Sequence, residues 1–300
     1  MNFKTTRCIL PGLVIVGLCL PTLAGTFSSD TPTALHRGVW ENTFSVDTVP
    51  ANPFFDVEFT VIFTLPNESE VKAEGFFKGG KTWGVRAYCA QVGTWKWRSV
   101  SNHAGLNGHS GSFEVKPSNL PGKLRKHPRD PRQLAYDNGQ WFLHIGDTAY
   151  RYVAASEPLW QQYIDEAAQV GFPKIRTWFS SGRHDVGTLF TPDRQRLNLE
   201  YWDEIERRLI YALEKYPHIQ FQLIPYGEDW PELRRYGKGD RAAHLVARYA
   251  QARFSALPNI YWCISNDSHI SPGPAPVTPI LPPLTRSDGT CDVANPGVRC

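Results

Sequence analysis

The spacing of apolar residues divides the chain into two regions with different periods. Between residues 39 and 115, apolar and polar residues alternate, as in "FDVEFTVIFT", where Val57, Phe59, Val61 and Phe63 share one face. Similar runs follow after Gly- or Asn-bearing breaks: "VKAEGFF", "TWGVRAY", "TWKWRSV" and "GSFEVK". Alternation is typical of half-buried strands. Short strands separated by such turn-forming breaks predict an antiparallel β-sandwich of immunoglobulin-like type.

After residue 133 the pattern alternates between short apolar runs and amphipathic helices. The runs "WFLHIGDT", "PKIRTWFS", "IQFQLIPYG" and "NIYWCIS" read as buried strands. Three segments between them have the helical period, and we expect Ser156 to cap the first, Pro158 to lie in its first turn, Gly171 to end it and Asp240 to cap the third. This alternation predicts parallel βα units.

Two architectures have such units, a doubly wound sheet and a (β/α)₈ barrel. No G-x-G-x-x-G follows the first strand, so the dinucleotide-binding version of the doubly wound sheet lacks support. We therefore predict a multidomain β plus α/β protein: an immunoglobulin-like β-sandwich followed by an incomplete (β/α)₈ barrel of about four βα units.

The two ends of the chain differ from the part between them. Lys4 and Arg7 precede an apolar run that closes in small residues, which predicts a secretory signal peptide cleaved after Ala24. The last thirty residues contain seven prolines, a composition that disfavours helix and strand. The predicted divisions are a signal peptide (1–24), a β-sandwich (25–117), a linker (118–132), a partial barrel (133–270) and a Pro-rich disordered tail (271–300).

Charge and motifs exclude several functions. The net charge is +3 with a pI near 8.5, and no long basic run indicates nucleic-acid binding. "GFFKGGKT" at 75–82 matches a phosphate-binding loop, but a strand pattern follows where a helix is needed, so we predict a hairpin on Gly79 and Gly80 and no nucleotide binding. Metalloenzyme and serine-hydrolase motifs are absent, and no cofactor or metal is predicted. Cys89 and Cys263 are expected to be small buried residues.

Polar or aromatic residues follow each strand of the second region, and a barrel places its active site on that rim. The candidates are Asp147, Arg176, Trp178, Tyr226, Trp230, Asn266 and Asp267. Asp147 either orients a substrate hydroxyl or caps the following turn, and Arg176 either binds substrate or pairs with a carboxylate. Trp178, Tyr226 and Trp230 are candidate sugar platforms, in keeping with an aromatic content of 13%. His144 is expected in the core, and the role of His184 is open.

The chain resembles a known bacterial architecture over roughly residues 36 to 270. The segments "GTWKWRS", "GSFEV" and "GDTAY" are similar to those of secreted proteins in which a domain of unknown function precedes an apiosidase-like glycoside hydrolase barrel. The resemblance implies a retaining glycosidase in which Asn266 binds a sugar hydroxyl and Asp267 is the acid/base. These families have Glu at the second position, and the Asp is shorter by one methylene, on the order of 1 Å.

The resemblance also implies that the nucleophile, a second carboxylate, lies on the seventh strand. Because four strands precede Ser271, we expect a truncated or frameshifted chain, with a natural Pro-rich tail as the alternative. We expect poor solubility and no turnover from these 300 residues, and a complete form that acts on a carbohydrate outside the cytoplasm. No stable membrane insertion is expected after signal cleavage. The alternative is a non-catalytic protein that binds glycans or cell surfaces through the sandwich and the aromatic rim.

Overall fold

A computed structural model of the protein describes residues 25–178, 189–225 and 235–263. Its described part is rich in β-structure and has few helices, and it consists of a β domain followed by an α/β domain. The second part of the predicted fold class, strands alternating with helices, is confirmed at this level. No helix among the described residues is long and apolar enough to cross a membrane.

The β domain contains nine strands in two sheets. They are β1 (Phe27–Ser29), β2 (Thr33–Leu35), β3 (Val39–Ser45), β4 (Phe59–Thr64), β5 (Glu70–Glu74), β6 (Phe76–Gly79), β7 (Thr82–Tyr88), β8 (Gly93–Ser101) and β9 (Ser110–Lys116). One sheet has the order β1-β3-β7-β6, and the other has the order β2-β9-β8-β4-β5. The alternating runs seen in the sequence therefore form strands, and only "VKAEGFF" is divided between two of them.

Aromatic side chains join the two sheets. Trp40 on β3 stacks on Phe113 of β9 with the ring centroids 4.1 Å apart. Phe44, four residues further along the same face of β3, meets Phe59 of β4 edge to face at 5.1 Å. Because residues two apart in a strand share a face, these contacts place the odd-numbered neighbours, such as Glu41, on the opposite side of the sheet. That opposite side is turned toward the α/β domain.

Gly75 separates two strands that the sequence pattern reads as one. "VKAEGFF" was predicted as a single strand, but β5 belongs to one sheet and β6 to the other. The chain changes sheets at Gly75, whose N–H donates to the carbonyl of Phe59 at 2.8 Å. A methyl group on Gly75 would lie 2.0 Å from Cδ1 of Phe59, so no larger residue fits without movement. The prediction of one continuous strand is wrong for this reason.

Residues 75–82, whose sequence matches a phosphate-binding loop, include the turn of a hairpin, as predicted. Strands β6 and β7 pair antiparallel, and Gly79 and Gly80 between them have positive φ values of 105° and 55°. Glycine adopts such values without steric cost, which explains the two glycines at the turn. No helix follows the loop, so the backbone geometry that phosphate binding needs at a helix N-terminus is missing from this segment.

The predicted linker 118–132 contains regular structure. Strand β10 (Leu124–Lys126) pairs with β11 (Leu134–Tyr136), which pairs with β12 (Trp141–Phe142). Leu124, Tyr136 and Phe142 form a small apolar cluster under this sheet. The sequence did not indicate β10 because only one of its three residues, Leu124, is apolar, and the segment around it is rich in Pro and Arg.

The described part of the α/β domain contains four parallel strands and three long helices. The strands are β13 (Gly146–Thr148), β14 (Lys174–Trp178), β15 (Gln220–Ile224) and β16 (Ile260–Trp262), and the helices are α1 (Leu159–Gln169), α2 (Leu199–Lys215) and α3 (Arg241–Phe254). The sheet order is β13-β14-β15-β16, so each strand lies beside the next one in sequence. A sheet wound in one direction has this order, whereas a doubly wound sheet reverses direction.

Details at the start of this domain differ from the sequence pattern. "WFLHIGDT" is divided between β12 and β13, which lie in different sheets, and it is not one buried strand. Leu143 and Ile145 are 43% and 54% exposed, and His144 is also exposed, so its predicted place in the core is wrong. These residues lead into β13, the edge strand of the described sheet, and are not enclosed between neighbouring strands as a buried strand would be.

Helix ends follow the predictions in part. The Asp240 side chain accepts the N–H of Ala243 at 2.9 Å, which confirms it as the cap of α3. Gly171 has a φ of 76° directly after α1, which confirms it as the end of that helix. Ser156 does not cap α1, because the helix begins at Leu159 and has no side-chain cap.

Candidate active site

The two faces of the parallel sheet have different characters. Ile175, Phe221 and Leu223 face the helices and are completely buried, and the ring of Phe221 contacts Tyr152 at a centroid distance of 5.0 Å. The opposite face, here called the inner face, has polar and aromatic side chains at the alternate positions. They are Lys174, Arg176, Trp178, Gln220, Gln222, Tyr261 and Cys263, and the apolar Ile224, which pairs with Trp178, lies on the same face.

At the carboxyl end of the sheet, three side chains meet on the inner face. Trp178 stacks on Tyr150, with ring centroids 4.6 Å apart and ring planes 29° from parallel. The guanidinium carbon of Arg176 lies 5.8 Å from the centre of the same Tyr150 ring. The backbone fixes this arrangement, because Trp178 N–H donates to the Tyr150 carbonyl at 3.2 Å. We call Tyr150, Arg176 and Trp178 the rim cluster.

The rim cluster brings together two predicted site residues and one that was missed. Arg176 and Trp178 were candidates because they end a strand, whereas Tyr150 lies in the loop after β13. All three are half-buried. The available signal for Tyr150 was its place in "GDTAY", three residues after Asp147, but a loop tyrosine is not assigned to a neighbouring strand end by spacing alone. Half-buried rings beside a guanidinium suit a sugar, which offers apolar C–H faces and hydroxyl acceptors.

Asp147 lies apart from the rim cluster. The register pairs Thr148, not Asp147, with Arg176, so Asp147 is on the helix side of the sheet. One carboxylate oxygen accepts the hydroxyl of Tyr163 on α1 at 2.8 Å, and the other accepts the backbone N–H of Thr148 at 2.7 Å. Burial raises the pKa of the Tyr163 phenol, and the Asp147 carboxylate raises it further. Of the two roles considered for Asp147, these contacts favour the turn cap.

Deeper on the inner face, a lysine, a histidine and a tyrosine are in contact. Nε2 of His144 lies 3.3 Å from the Tyr261 hydroxyl and 3.4 Å from Nζ of Lys174. Burial lowers the pKa of Lys174, and the charge of Arg176 two residues along β14 lowers it further. Tyr261 also packs on Phe142 of the β10-β11-β12 sheet, so this small sheet lies under the inner face at the end opposite to the rim cluster.

Four of the predicted site residues lie outside the described residues. They are Tyr226, Trp230, Asn266 and Asp267, and His184 also lies outside. In the sequence, Tyr226 comes two residues after the end of β15, and Asn266 comes four residues after the end of β16. Within the described residues, no group of three or more His, Cys, Asp or Glu side chains is placed to hold a metal ion.

The rest of the predicted chemistry has a mixed outcome. Cys89 is fully buried, and burial raises the pKa of its thiol to about 12, which confirms it as a structural residue. Cys263 is half-buried at the end of β16.

In the β domain, residues 25–117, every Phe, Tyr and Trp ring is buried or half-buried. This domain therefore has no fully exposed ring of the kind that binding modules present to a sugar.

In open α/β sheets ligands bind at the carboxyl edge of the strands, and the rim cluster of this α/β domain lies there. The sequence profile of the family described as "Apiosidase-like, catalytic domain" matches residues 128–288, more than half of the chain. The chain belongs to this apiosidase-like family. A second profile, a domain of unknown function designated DUF5060, matches residues 38–102 of the β domain. No curated protein sequence matches the chain.

Solved structures are similar in fold, and 33 chains match. One is "a putative glycoside hydrolase from Bacteroides vulgatus ATCC 8482", with a TM-score of 0.66 and 20% identity, over 79% of this chain and 50% of that one. The chain thus spans about half the length of this neighbour, and the likeness concerns the fold. An endo-1,4-beta-mannanase from Rhizomucor miehei has a TM-score of 0.35 and 16% identity, over 45% of this chain and 46% of that one, too distant to support an argument.

Proposed function

We propose that the protein is a glycoside hydrolase that binds a poly- or oligosaccharide across the carboxyl edge of the parallel sheet. The observation that supports this is the rim cluster, in which Trp178 and Tyr150 form a stacked pair beside Arg176 within the apiosidase-like domain. The rings would take the apolar face of a sugar, and the guanidinium would donate to hydroxyl or ring oxygens. The single winding direction of the sheet supports a (β/α)₈ barrel, and the two packed sheets support an immunoglobulin-like β domain.

In the proposed retaining mechanism, Asn266 binds the hydroxyl beside the scissile bond and Asp267 donates a proton to the leaving oxygen. A second carboxylate, which the family resemblance places on a strand beyond β16, attacks the anomeric carbon and forms a glycosyl-enzyme. Water then hydrolyses this intermediate while Asp267 acts as base. The two carboxyl groups need a separation of about 5–5.5 Å for this chemistry, so the shorter Asp side chain requires the backbone to approach the sugar more closely than a Glu would.

Reducing-sugar release from a polysaccharide panel tests this function. The assay uses the 300-residue chain and, in parallel, any longer product of the same gene, because the mechanism requires a carboxylate beyond β16. We expect release by the longer product and a loss of at least about 100-fold in Asp267→Asn, with glycan binding retained. Binding without release in every form would contradict the hydrolase and favour a non-catalytic glycan-binding protein.

We also propose that the protein is exported, with cleavage after Ala24. The support is the charged start, the apolar run and the small residues before Gly25 in the sequence. N-terminal sequencing of protein collected outside the cytoplasm is expected to begin at Gly25 or within about two residues of it. Mature protein that begins at Met1 would contradict export by this route.

A further inference from the structure

The β domain, which contains the DUF5060 match and is called the DUF5060 domain below, contacts the α/β domain through buried charges. Glu41 on β3 and Arg86 on β7 face away from the partner sheet, and both are almost completely buried, 1% and 2% exposed. Nε of Arg86 donates to Glu41 at 2.6 Å, and Nη2 makes an ion-pair contact of 2.8 Å with Glu206 on α2. Nη1 of Arg86 donates to the backbone carbonyl of Arg253 on α3. One guanidinium thus joins a β-domain strand to two helices of the other domain.

A second buried arginine continues the network within the α/β domain. Nε of Arg253 lies 2.6 Å from Glu206, and Nη2 lies 2.5 Å from Asp203. Its Nη1 donates to the hydroxyl of Tyr249, which donates in turn to the carbonyl of Phe77 in the β domain at 2.6 Å. Burial alone would raise the pKa of Glu206, but the two guanidinium groups outweigh burial and lower the pKa below its ordinary range.

The network also satisfies the carboxyl end of helix α3. The last carbonyls of a helix have no partner within it and carry partial negative charge, so cations stabilise them. Arg86 donates to the carbonyl of Arg253, and Nζ of Lys123, in the segment after the β domain, donates to the carbonyl of Ser255 at 2.5 Å. Both acceptors lie where α3 turns toward β16, the strand that leads to Asn266 and Asp267.

We infer that the DUF5060 domain is an obligate folding partner of the α/β domain, rather than an independent module tethered to it. Without the β domain, Glu206 would lose one of its two guanidinium partners, the hydroxyl of Tyr249 would lose the Phe77 carbonyl, and the carbonyl of Arg253 at the end of α3 would lose the donor Arg86. Paired buried charges are tolerated because each satisfies the other, whereas an unpaired one is strongly destabilising. The inference depends on stability and does not depend on the proposed hydrolysis.

Native-state hydrogen exchange, read by mass spectrometry, tests the inference on the intact chain. Peptides that cover β4 (59–64) and β15 (220–224) report the opening of each domain. If the two domains form one cooperative unit, their slowest amides have opening constants that agree within about threefold and respond equally to urea. Independent opening of β15, at low urea while β4 stays protected, would overturn the inference without any variant.

Substitutions at Arg86 test whether its contacts couple the opening of the β domain to that of the α/β domain. Arg86→Met should raise the opening constants of both peptides by roughly 100-fold or more, because it removes the buried cation that Glu41 and Glu206 share and leaves each carboxylate with one partner, Lys78 and Arg253 respectively. The matched control is Arg98→Met. The Arg98 side chain on β8 is 54% exposed, and its ion pair with Glu70 is long, at 3.6 Å, and faces solvent. Both opening constants should therefore change by less than about threefold. An effect of Arg86→Met on β4 alone would overturn the inference.

A milder variant covers the case in which Arg86→Met does not fold. Arg86→Lys keeps the charge but lacks the planar fork that reaches Glu41, Glu206 and the Arg253 carbonyl together. We expect this variant to fold and to raise both opening constants by about 10-fold. Equal constants in Arg86→Lys and the wild type would contradict the role given to the fork.

Discussion

Gly75→Ala should destabilise the protein by about 2 kcal/mol, because the chain passes very close to Phe59 where it changes sheets. The added methyl group would lie 2.0 Å from Cδ1 and 2.5 Å from Cε1 of Phe59, well inside van der Waals contact. The ring has little freedom to retreat, since it is 5% exposed and packs edge to face on Phe44 at 5.1 Å. The backbone is also held, because Gly75 N–H donates to the Phe59 carbonyl.

Urea unfolding and thermal melts measure this cost. For a chain of this size, about 2 kcal/mol corresponds to a melting temperature lower by roughly 4–8 °C. Gly237→Ala is the matched control, because no atom lies within 4 Å of the added methyl group and the φ of Gly237 is not positive. The control should leave the melting temperature within about 2 °C of the wild type. Equal stability of Gly75→Ala and the wild type would refute the close approach at the sheet change.

Four further predictions concern single side chains. Glu206→Gln should flatten the loss of stability on acidification. Because the folded pKa of Glu206 is lowered, its contribution to stability is present above the ordinary pKa of about 4.3 and is lost as pH falls through the folded value. Urea midpoints that fall by the same amount in the variant and the wild type between about pH 7 and about pH 3 would contradict this. Asp240→Ala should cost about 1 kcal/mol in urea unfolding and Asp240→Asn much less, since the side chain caps α3, and equal costs would argue against the cap. Lys81→Ala should not alter the melting temperature with or without millimolar ATP; a rise with ATP in the wild type alone would restore the phosphate loop. Cys89 should resist thiol reagents at about pH 8 until the protein unfolds, and labelling of the native protein would contradict the burial of this thiol.

The alternation and helical periods of the sequence were sufficient for much of the fold. "TWGVRAY" is strand β7 from end to end, and Asp240 caps α3, because both signals are local and act within a few residues. The sheet change at Gly75 and the division of "WFLHIGDT" were missed because they depend on which sheet each half of a run joins. Pairing partners lie far apart in sequence, so a local period does not contain them.

The candidate site could be predicted only at its strand ends. Arg176 and Trp178 were found because they end β14, and parallel strands place their carboxyl ends at one edge. Tyr150 was missed, since it reaches the cluster from a loop through a backbone hydrogen bond with Trp178. Asp147 was placed beside the site by sequence position, but the register turns it toward Tyr163 on α1. A one-residue difference in register reverses the face of a side chain, and sequence does not fix it in a three-residue strand.

The central claim is that the rim cluster binds a sugar, and oligosaccharide affinity in two tryptophan variants tests it most directly. Trp178→Ala removes the ring that stacks on Tyr150, whereas Trp141→Ala removes a 57% exposed ring on β12 in the small sheet at the other end of the inner face. Calorimetric titration with the oligosaccharides that bind the wild type should show affinity lower by about 10-fold or more in Trp178→Ala, and within about twofold of the wild type in Trp141→Ala. Unchanged affinity in Trp178→Ala, in a variant that folds, would contradict a carbohydrate site at the carboxyl edge of the sheet.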